Sequence, residues 1–330
     1  MKIRLVWQKL ALVWFLCLSD VARASLGDRL PEFKLCVEIC KQTNCSPSNP
    51  TPIPLHRRLL LWNCGSECDY TCQHITTHAR QTRDPPYLTP VPQYHGKWPF
   101  YRFLGLQEPF SVLFSLLNYW AHAWGLTQVR ERIPRSYGMR PYYIVFAYVG
   151  MTSWVASMVF HARDFKITER VDYFAAAANV LYGLFYAPIR VWRLDHRPGT
   201  PRKRSLRRVW TVLCALLYLL HVGYLSLWRW DYTYNMAANV GVGVVANVLW
   251  TGFSVVQYRR IGRTWAVWPG VCVAWIVMAM GLELLDFAPW GGMVDAHCLW
   301  HLGTVVPTVL WYNFLVRDAQ EDIAGTRLKD

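Results

Sequence analysis

Three places in this 330-residue sequence set ionisable or nucleophilic side chains into apolar surroundings. Ser157 and His161 stand four residues apart, and so do His297 and His301. On a helix that spacing lays both members of each pair on one face. Asp172 stands at the start of a further apolar stretch. Three imidazoles suit a divalent metal such as zinc, since catalytic zinc commonly takes three protein ligands and leaves a position for water. Water on such a metal has its pKa lowered towards about 7, which yields hydroxide at neutral pH. Asp172 is suited to accept or orient its proton, and Ser157 to hydrogen-bond the water or a developing oxyanion. The same groups admit other uses. A Ser-His-Asp triad would leave the His297/His301 pair idle, and membrane histidines also serve as plain interhelical hydrogen-bond partners. Glu169, Glu283 and Asp286 are candidate carboxylate partners for ligand imidazoles, although ordinary surface or loop carboxylates are the leading reading for all three. His221 reads as an interhelical hydrogen-bonding residue, and Cys214, Cys272 and Cys298 as buried apolar thiols, with Cys298 a minor ligand candidate.

These residues need elements to carry them. Apolar stretches recur near 109–126, 141–161, 172–191, 209–228, 234–256, 265–285 and 296–316, each about as long as a bilayer-spanning helix. They predict an all-α membrane protein built as a seven-transmembrane helix bundle. The stretches at 109–126 and 234–256 are the most interrupted: Asn118 and His122 fall in the first, and Asn235, Asn239 and Asn247 in the second. Such groups cost insertion energy unless partners on neighbouring helices satisfy them.

Composition agrees with a membrane protein. Hydrophobic residues make up 53% of the chain and charged residues 17%, against about 25% in soluble domains, with 18 Trp and 18 Tyr. Lys2, Arg4 and Lys9, an apolar run at 10–18 and Ala22-Arg23-Ala24 form a signal-peptide pattern cleaved after Ala24. Six of the ten cysteines then crowd into one short segment: Cys36, Cys40, Cys45, Cys64, Cys68 and Cys72. With an export signal, that clustering predicts a disulfide-stapled module, although fifteen pairings are open. Zinc is the competing reading, which the C-x3-C spacings and an oxidising compartment disfavour. Asn44-Cys45-Ser46 is a formal glycosylation sequon that needs Cys45 unpaired or modification before pairing. The expected organisation is a signal peptide at 1–24, a loop-rich Cys-rich lumenal domain at 25–100, a seven-transmembrane hydrolase domain at 101–316 and a cytosolic tail at 317–330.

Charge sets the orientation. With a lumenal N-terminus, the segments 127–140, 190–208, 257–264 and the tail hold eighteen Lys and Arg, whereas the short loops on the other side hold only Arg163, Lys166, Arg170 and Arg229. Positive charge collects on the cytosolic side, so the C-terminus is expected in the cytosol and the candidate site in the lumen. The net charge of +14 is accounted for by loops facing anionic headgroups and requires no nucleic acid.

The motifs also resemble a known family. Ser157-Met-Val-Phe-His161, Thr168-Glu169-Arg-Val-Asp172, Gln93-Tyr-His-Gly-Lys-Trp-Pro-Phe100, Asp231-Tyr-Thr-Tyr-Asn235, Leu284-Leu-Asp-Phe287 and Asp295-Ala-His297-Cys-Leu-Trp-His301 together resemble the post-GPI-attachment phospholipase family. That family lies within a superfamily of seven-helix hydrolases that includes alkaline ceramidases and the adiponectin receptor group. The resemblance implies Zn2+ on His161, His297 and His301, assisted by Ser157 and Asp172. It implies removal of the sn-2 acyl chain from GPI-anchored proteins to give lyso-GPI, in an ER or Golgi membrane, with the phosphatidylinositol lipid and membrane lipids as partners. A ceramidase-like amidase, or a non-catalytic receptor or transport factor for GPI-anchored proteins, would share much of this pattern.

Overall fold

A computed structural model describes residues 25–46, 52–85, 87–195 and 200–327. The expected signal peptide lies outside the described residues. The chain divides into two compact units, Met1–Phe100 and Tyr101–Asp330.

Among the described residues the N-terminal unit carries four helices: α1 (Leu26–Arg29), α2 (Pro31–Asn44), α3 (Leu55–Leu59) and α4 (Cys64–Gln81). Pro31 suits the first turn of α2, where its missing N–H would have no intrahelical partner. Asn63 starts α4 with a capping box, its side chain accepting from the Ser66 backbone N–H while the Ser66 hydroxyl accepts from that of Asn63, both at 2.9 Å. A loop-rich module was the expectation here; the unit is instead built on a pair of helices. Cysteines four apart fall on one face of each helix, and the bridges run as antiparallel rungs, Cys36–Cys72, Cys40–Cys68 and Cys45–Cys64. The last of these occupies the thiol that the Asn44 sequon would need unpaired. The apolar core is small, centred on Phe33, Cys72 and Tyr94, with the Phe33 and Tyr94 rings 4.7 Å apart. Burial holds the Tyr94 hydroxyl above the usual tyrosine range, with the Thr77 hydroxyl 3.2 Å away. With so little core, the bridges bear the stability. Serine at both Cys36 and Cys72 should cost about 2–5 kcal/mol, visible as faster proteolysis between residues 31 and 81; unchanged resistance would argue for a self-sufficient core.

The second unit is entirely helical among the described residues: α5 (Pro109–Arg132), α6 (Arg140–Ala162), α7 (Lys166–Val191), α8 (Pro201–Gly223, extended by a π-helical turn at Tyr224–Trp228), α9 (Tyr232–Ile261), α10 (Trp268–Leu285) and α11 (Ala296–Arg327). Six of these, α6 to α11, are long and apolar enough to cross a membrane, so the chain is a multi-pass membrane protein. Seven spans were expected. The departure is α5, whose 24 residues have the length of a span but carry Ser111, Ser115, Asn118 and His122, all buried. These polar groups face protein. Asn118 donates to the His301 carbonyl at 2.7 Å, and the His122 ring lies 2.8 Å from the Tyr312 hydroxyl.

Packing places α5 between α6 and α11, and the contacts continue through α7, α9 and α10 back to α11, closing a six-helix ring. Helix α8 leans on α7 outside that ring, with Cys214 and His221 its buried residues. Two glycines set how closely the central helices approach: a Cβ at Gly125 would collide with the Tyr312 ring, and one at Gly150 with the His122 ring. An aromatic core of Tyr143, Tyr186, Trp250, Tyr312 and Phe314 fills the ring, with His122 packed edge-on against Tyr312.

Candidate metal centre

The centre draws on four helices. The last turn of α6 presents His161, with Ser157 one turn earlier. The first two turns of α11 present His297 and His301, and Asp295 caps this helix by accepting the Cys298 N–H at 2.8 Å. Burial pushes the Asp295 carboxyl above the usual carboxylate range, while that N–H pulls the other way. The start of α5 supplies Glu108 and Ser115, and the last turn of α10 supplies Glu283.

One ligand nitrogen from each of His161, His297 and His301 lies within 4.8 Å of the others, and His161 and His301 are 2% and 5% exposed. All three Nδ1 atoms have partners. His161 Nδ1 lies 2.6 Å from Glu108 Oε2, His297 Nδ1 lies 2.7 Å from Glu283 Oε2, and His301 Nδ1 lies 3.0 Å from Ser115 Oγ. A carboxylate accepts only, so the first two Nδ1 atoms carry protons, and in the neutral ring Nε2 then offers its lone pair. Those two Nε2 atoms face each other at 3.4 Å. Two lone pairs at that separation repel unless a cation lies between them. Two nitrogens each about 2.0–2.1 Å from one tetrahedral zinc stand about 3.4 Å apart. The donor set therefore fits a metal, with the Nδ1 atoms tied in the manner that fixes ring orientation in metal sites.

Sequence reasoning singled out all three imidazoles, and the fold brings them together from 136 residues apart. It singled out Ser157, whose hydroxyl lies 3.0 Å from that of Ser115 and through it adjoins His301. Asp172 is half-buried on α7, and its neighbour Tyr173 packs edge-on against Phe160, the residue before His161. Glu283, for which a surface or loop carboxylate was the leading reading, is instead the partner of His297. Two participants were missed, Glu108 and Ser115, the first just ahead of α5 and the second on the polar face that makes this helix less apolar than its neighbours. Cys298 is turned away, its thiol donating to the Asp295 carbonyl at 3.2 Å. Cys214 and Cys272 are buried thiols, as expected, whereas the buried His221 ring packs against that of Tyr234 of α9, with centroids 5.5 Å apart. The sulfurs of Cys45, Cys64 and Cys68 also lie close together, but all three are in disulfides.

Glu108 gives a direct prediction. Glu108→Gln should weaken zinc binding about 10–100-fold, the usual effect of altering such an outer partner, measured by competition with a chromophoric chelator. An unchanged Kd would remove Glu108 from this role.

Fold and site together define a multi-pass helical membrane protein with an interior three-histidine centre able to hold a metal. Residues 54–319 match the Per1-like family, to which the chain belongs. It is 42% identical to a Protein PER1 homolog of Schizosaccharomyces pombe over 308 residues, covering 93% of this chain and 91% of that protein. It is 38% identical to the GPI-specific phospholipase A2-like PGAP3 of Cricetulus griseus, covering 91% of each. With the human protein of that name the identity is 36%, again over 91% of each.

Proposed function

We propose that the chain is a zinc-dependent lipid hydrolase of GPI-anchor remodelling, cleaving the sn-2 acyl ester of GPI-anchored proteins to leave lyso-GPI. The observation that carries this reading is the convergence of two Nε2 atoms at 3.4 Å while both Nδ1 atoms are tied to carboxylates. The printed name of the mammalian relatives, GPI-specific phospholipase A2-like, supports the substrate.

Zinc, when bound, supplies Lewis acidity and a water acidified to about pKa 7. His161, His297 and His301 would hold it through Nε2. Glu108 and Glu283 keep two of the rings in the tautomer this requires, and Ser115 accepts from the third. Ser157 hydrogen-bonds the oxyanion that develops on the ester carbonyl, and Asp172 takes the proton of the attacking water and passes it to the leaving alkoxide. The ester of a phospholipid lies at the headgroup boundary, within reach of helix ends, while its acyl chain remains in hydrocarbon. Loop charge supports a lumenal position for this end of the bundle, with the N-terminus lumenal and the C-terminus cytosolic, and an ER or Golgi membrane suits a GPI-anchored substrate.

The test is lyso-GPI formation in cells lacking the native gene, complemented with wild type, His297→Ala or Asp172→Ala. Wild type should restore remodelling and both variants should fail. Full remodelling by the variants would end the metal-hydrolase reading, and release of sphingosine from ceramide at an equal rate would transfer it to a ceramidase-like amidase.

A further inference from the structure

The segment between α8 and α10's partner α9 lies at the histidine end of the bundle and has no part in metal binding. Its Trp230 indole is met by three residues of α7 at helical spacing. The Arg170 guanidinium carbon stands 5.4 Å from the ring centroid, Tyr173 stacks on it at 5.4 Å and 20°, and Phe174 meets it edge-on at 6.0 Å. Positions 170, 173 and 174 share one helix face, so a single indole fixes that whole face. Beside it, Asp231 is itself fixed as the cap of α9, accepting the Tyr234 N–H at 3.0 Å, and its other oxygen lies 3.6 Å from Arg229 Nε. That separation exceeds a direct hydrogen bond, and a guanidinium has five N–H donors, so Arg229 is oriented by Asp231 but retains donors for another anion.

This Arg–Trp assembly connects to the metal centre by consecutive ring contacts. Trp230 stacks on Tyr173, Tyr173 packs on Phe160 at 6.3 Å, and Phe160 lies 5.0 Å from His161. Arg170 is also two residues from Asp172. Leu227 and Trp228, just before Arg229, are 89% and 83% exposed, the residue types and exposure of a segment seated at the membrane boundary. A phospholipid whose ester enters the centre must put its phosphate on this side, since the headgroup stays in the boundary layer while the chains enter hydrocarbon. Positive charge is otherwise sparse on the short loops at this end of the helical unit: Arg170 and Arg229 account for half of the four Lys and Arg counted there.

We propose that Arg170 and Arg229 form the phosphodiester anchor of the centre, so that the ligand it takes is an anionic glycerophospholipid rather than a neutral lipid ester. Arginine is the apt residue, because its planar fork matches two phosphate oxygens and stacks on an indole. The proposal rests on the lipid-hydrolase reading for what happens at the ester, but not for the binding itself.

The test uses the full chain purified in neutral detergent with zinc bound. Retention of phosphatidylinositol and of diacylglycerol with the same acyl chains is measured at equilibrium, together with zinc content. Wild type should retain phosphatidylinositol at least tenfold better than diacylglycerol. The double variant Arg170→Gln/Arg229→Gln should lose that preference, with diacylglycerol retention and zinc content unchanged. Lys166→Gln, an exposed cation on the same helix turn, should retain phosphatidylinositol as wild type does. An undiminished preference in the double variant would overturn the anchor, as would an equal loss with Lys166→Gln, which would indicate diffuse charge. Hydrolysis separates the two readings. Wild type that prefers phosphatidylinositol but releases no fatty acid from a GPI substrate overturns the hydrolase and leaves the anchor standing. Hydrolysis with an unchanged KM in the double variant does the reverse.

Discussion

A His161→Ala chain should purify with far less than one metal ion and hydrolyse lipid about a thousandfold more slowly than wild type, a loss of about 4 kcal/mol of transition-state stabilisation. The size follows from what the imidazole does. It is one of three nitrogen ligands, and a metal held by the remaining two lacks the coordination that a catalytic site of this kind uses. The substitution also leaves the Glu108 carboxylate, 4% exposed, without the imidazole 2.6 Å away. A buried charge that loses its closest partner is destabilised, although Glu108 keeps the Ser111 hydroxyl at 3.4 Å. Metal loss and instability can be separated: His161→Ala with Glu108→Gln removes that charge, so thermal stability should recover while metal content and activity stay low. Recovery of activity in the double variant would show that His161 acts only structurally. Metal analysis, thermal unfolding in detergent and fatty-acid release, run on the same preparations, read all three quantities.

The second large effect lies at the opposite end of α11. Arg190 of α7 and Asp318 of α11 form a bidentate pair at 2.6 and 2.8 Å, with side chains 5% and 1% exposed, and the guanidinium carbon also lies 5.1 Å from the Phe253 ring centroid. Asp318→Ala should destabilise the helical unit by about 3–5 kcal/mol, because it leaves a guanidinium buried without its counter-ion. Replacing both residues, as Arg190→Met/Asp318→Leu, should restore most of that stability, since an apolar pair of similar volume avoids the desolvation cost. The melting temperature in detergent, measured for wild type, single and double variants, completes the cycle. A double variant as unstable as Asp318→Ala would mean that the ion pair itself, and not the stranded charge, holds α7 to α11. Below their melting temperatures these variants should keep the metal, since His297 and His301 sit on the first turns of α11 and His161 on α6, away from the pair.

What could be read from sequence follows a physical pattern. His161, His297 and His301 were legible because i, i+4 pairs in apolar helices have few inexpensive explanations. Glu283 was only half legible, because a carboxylate at the end of an apolar stretch reads more readily as a surface or loop group. Glu108 was not, because it precedes Pro109 outside any periodic run and meets His161 only through a contact 53 residues distant in sequence. Ser115 was hidden in another way: a serine in a helix carries little signal until the face it shares with Ser111, Asn118 and His122 is seen to be wholly buried. That polar face also explains why seven long helices include only six apolar enough to be recognised as spans. In the N-terminal unit, α2 and α4 escaped notice because their few buried apolar residues give almost no periodicity. The signal lay in the cysteines instead. Cys36 and Cys40, and Cys64, Cys68 and Cys72, recur every four residues, which is a helical spacing. Two of the three disulfides, Cys36–Cys72 and Cys40–Cys68, join those faces directly, while Cys45–Cys64 ties the residue just past α2 to the start of α4.

The most direct measurement is lyso-GPI release by purified protein stripped of metal by a chelator, with its metal content verified, and then supplied with zinc. Activity should vanish in the stripped protein and return as zinc approaches one equivalent per chain, while a His161→Ala/Glu108→Gln chain stays inactive throughout. Undiminished release of lyso-GPI by verified metal-free protein would contradict a metal centre at His161, His297 and His301.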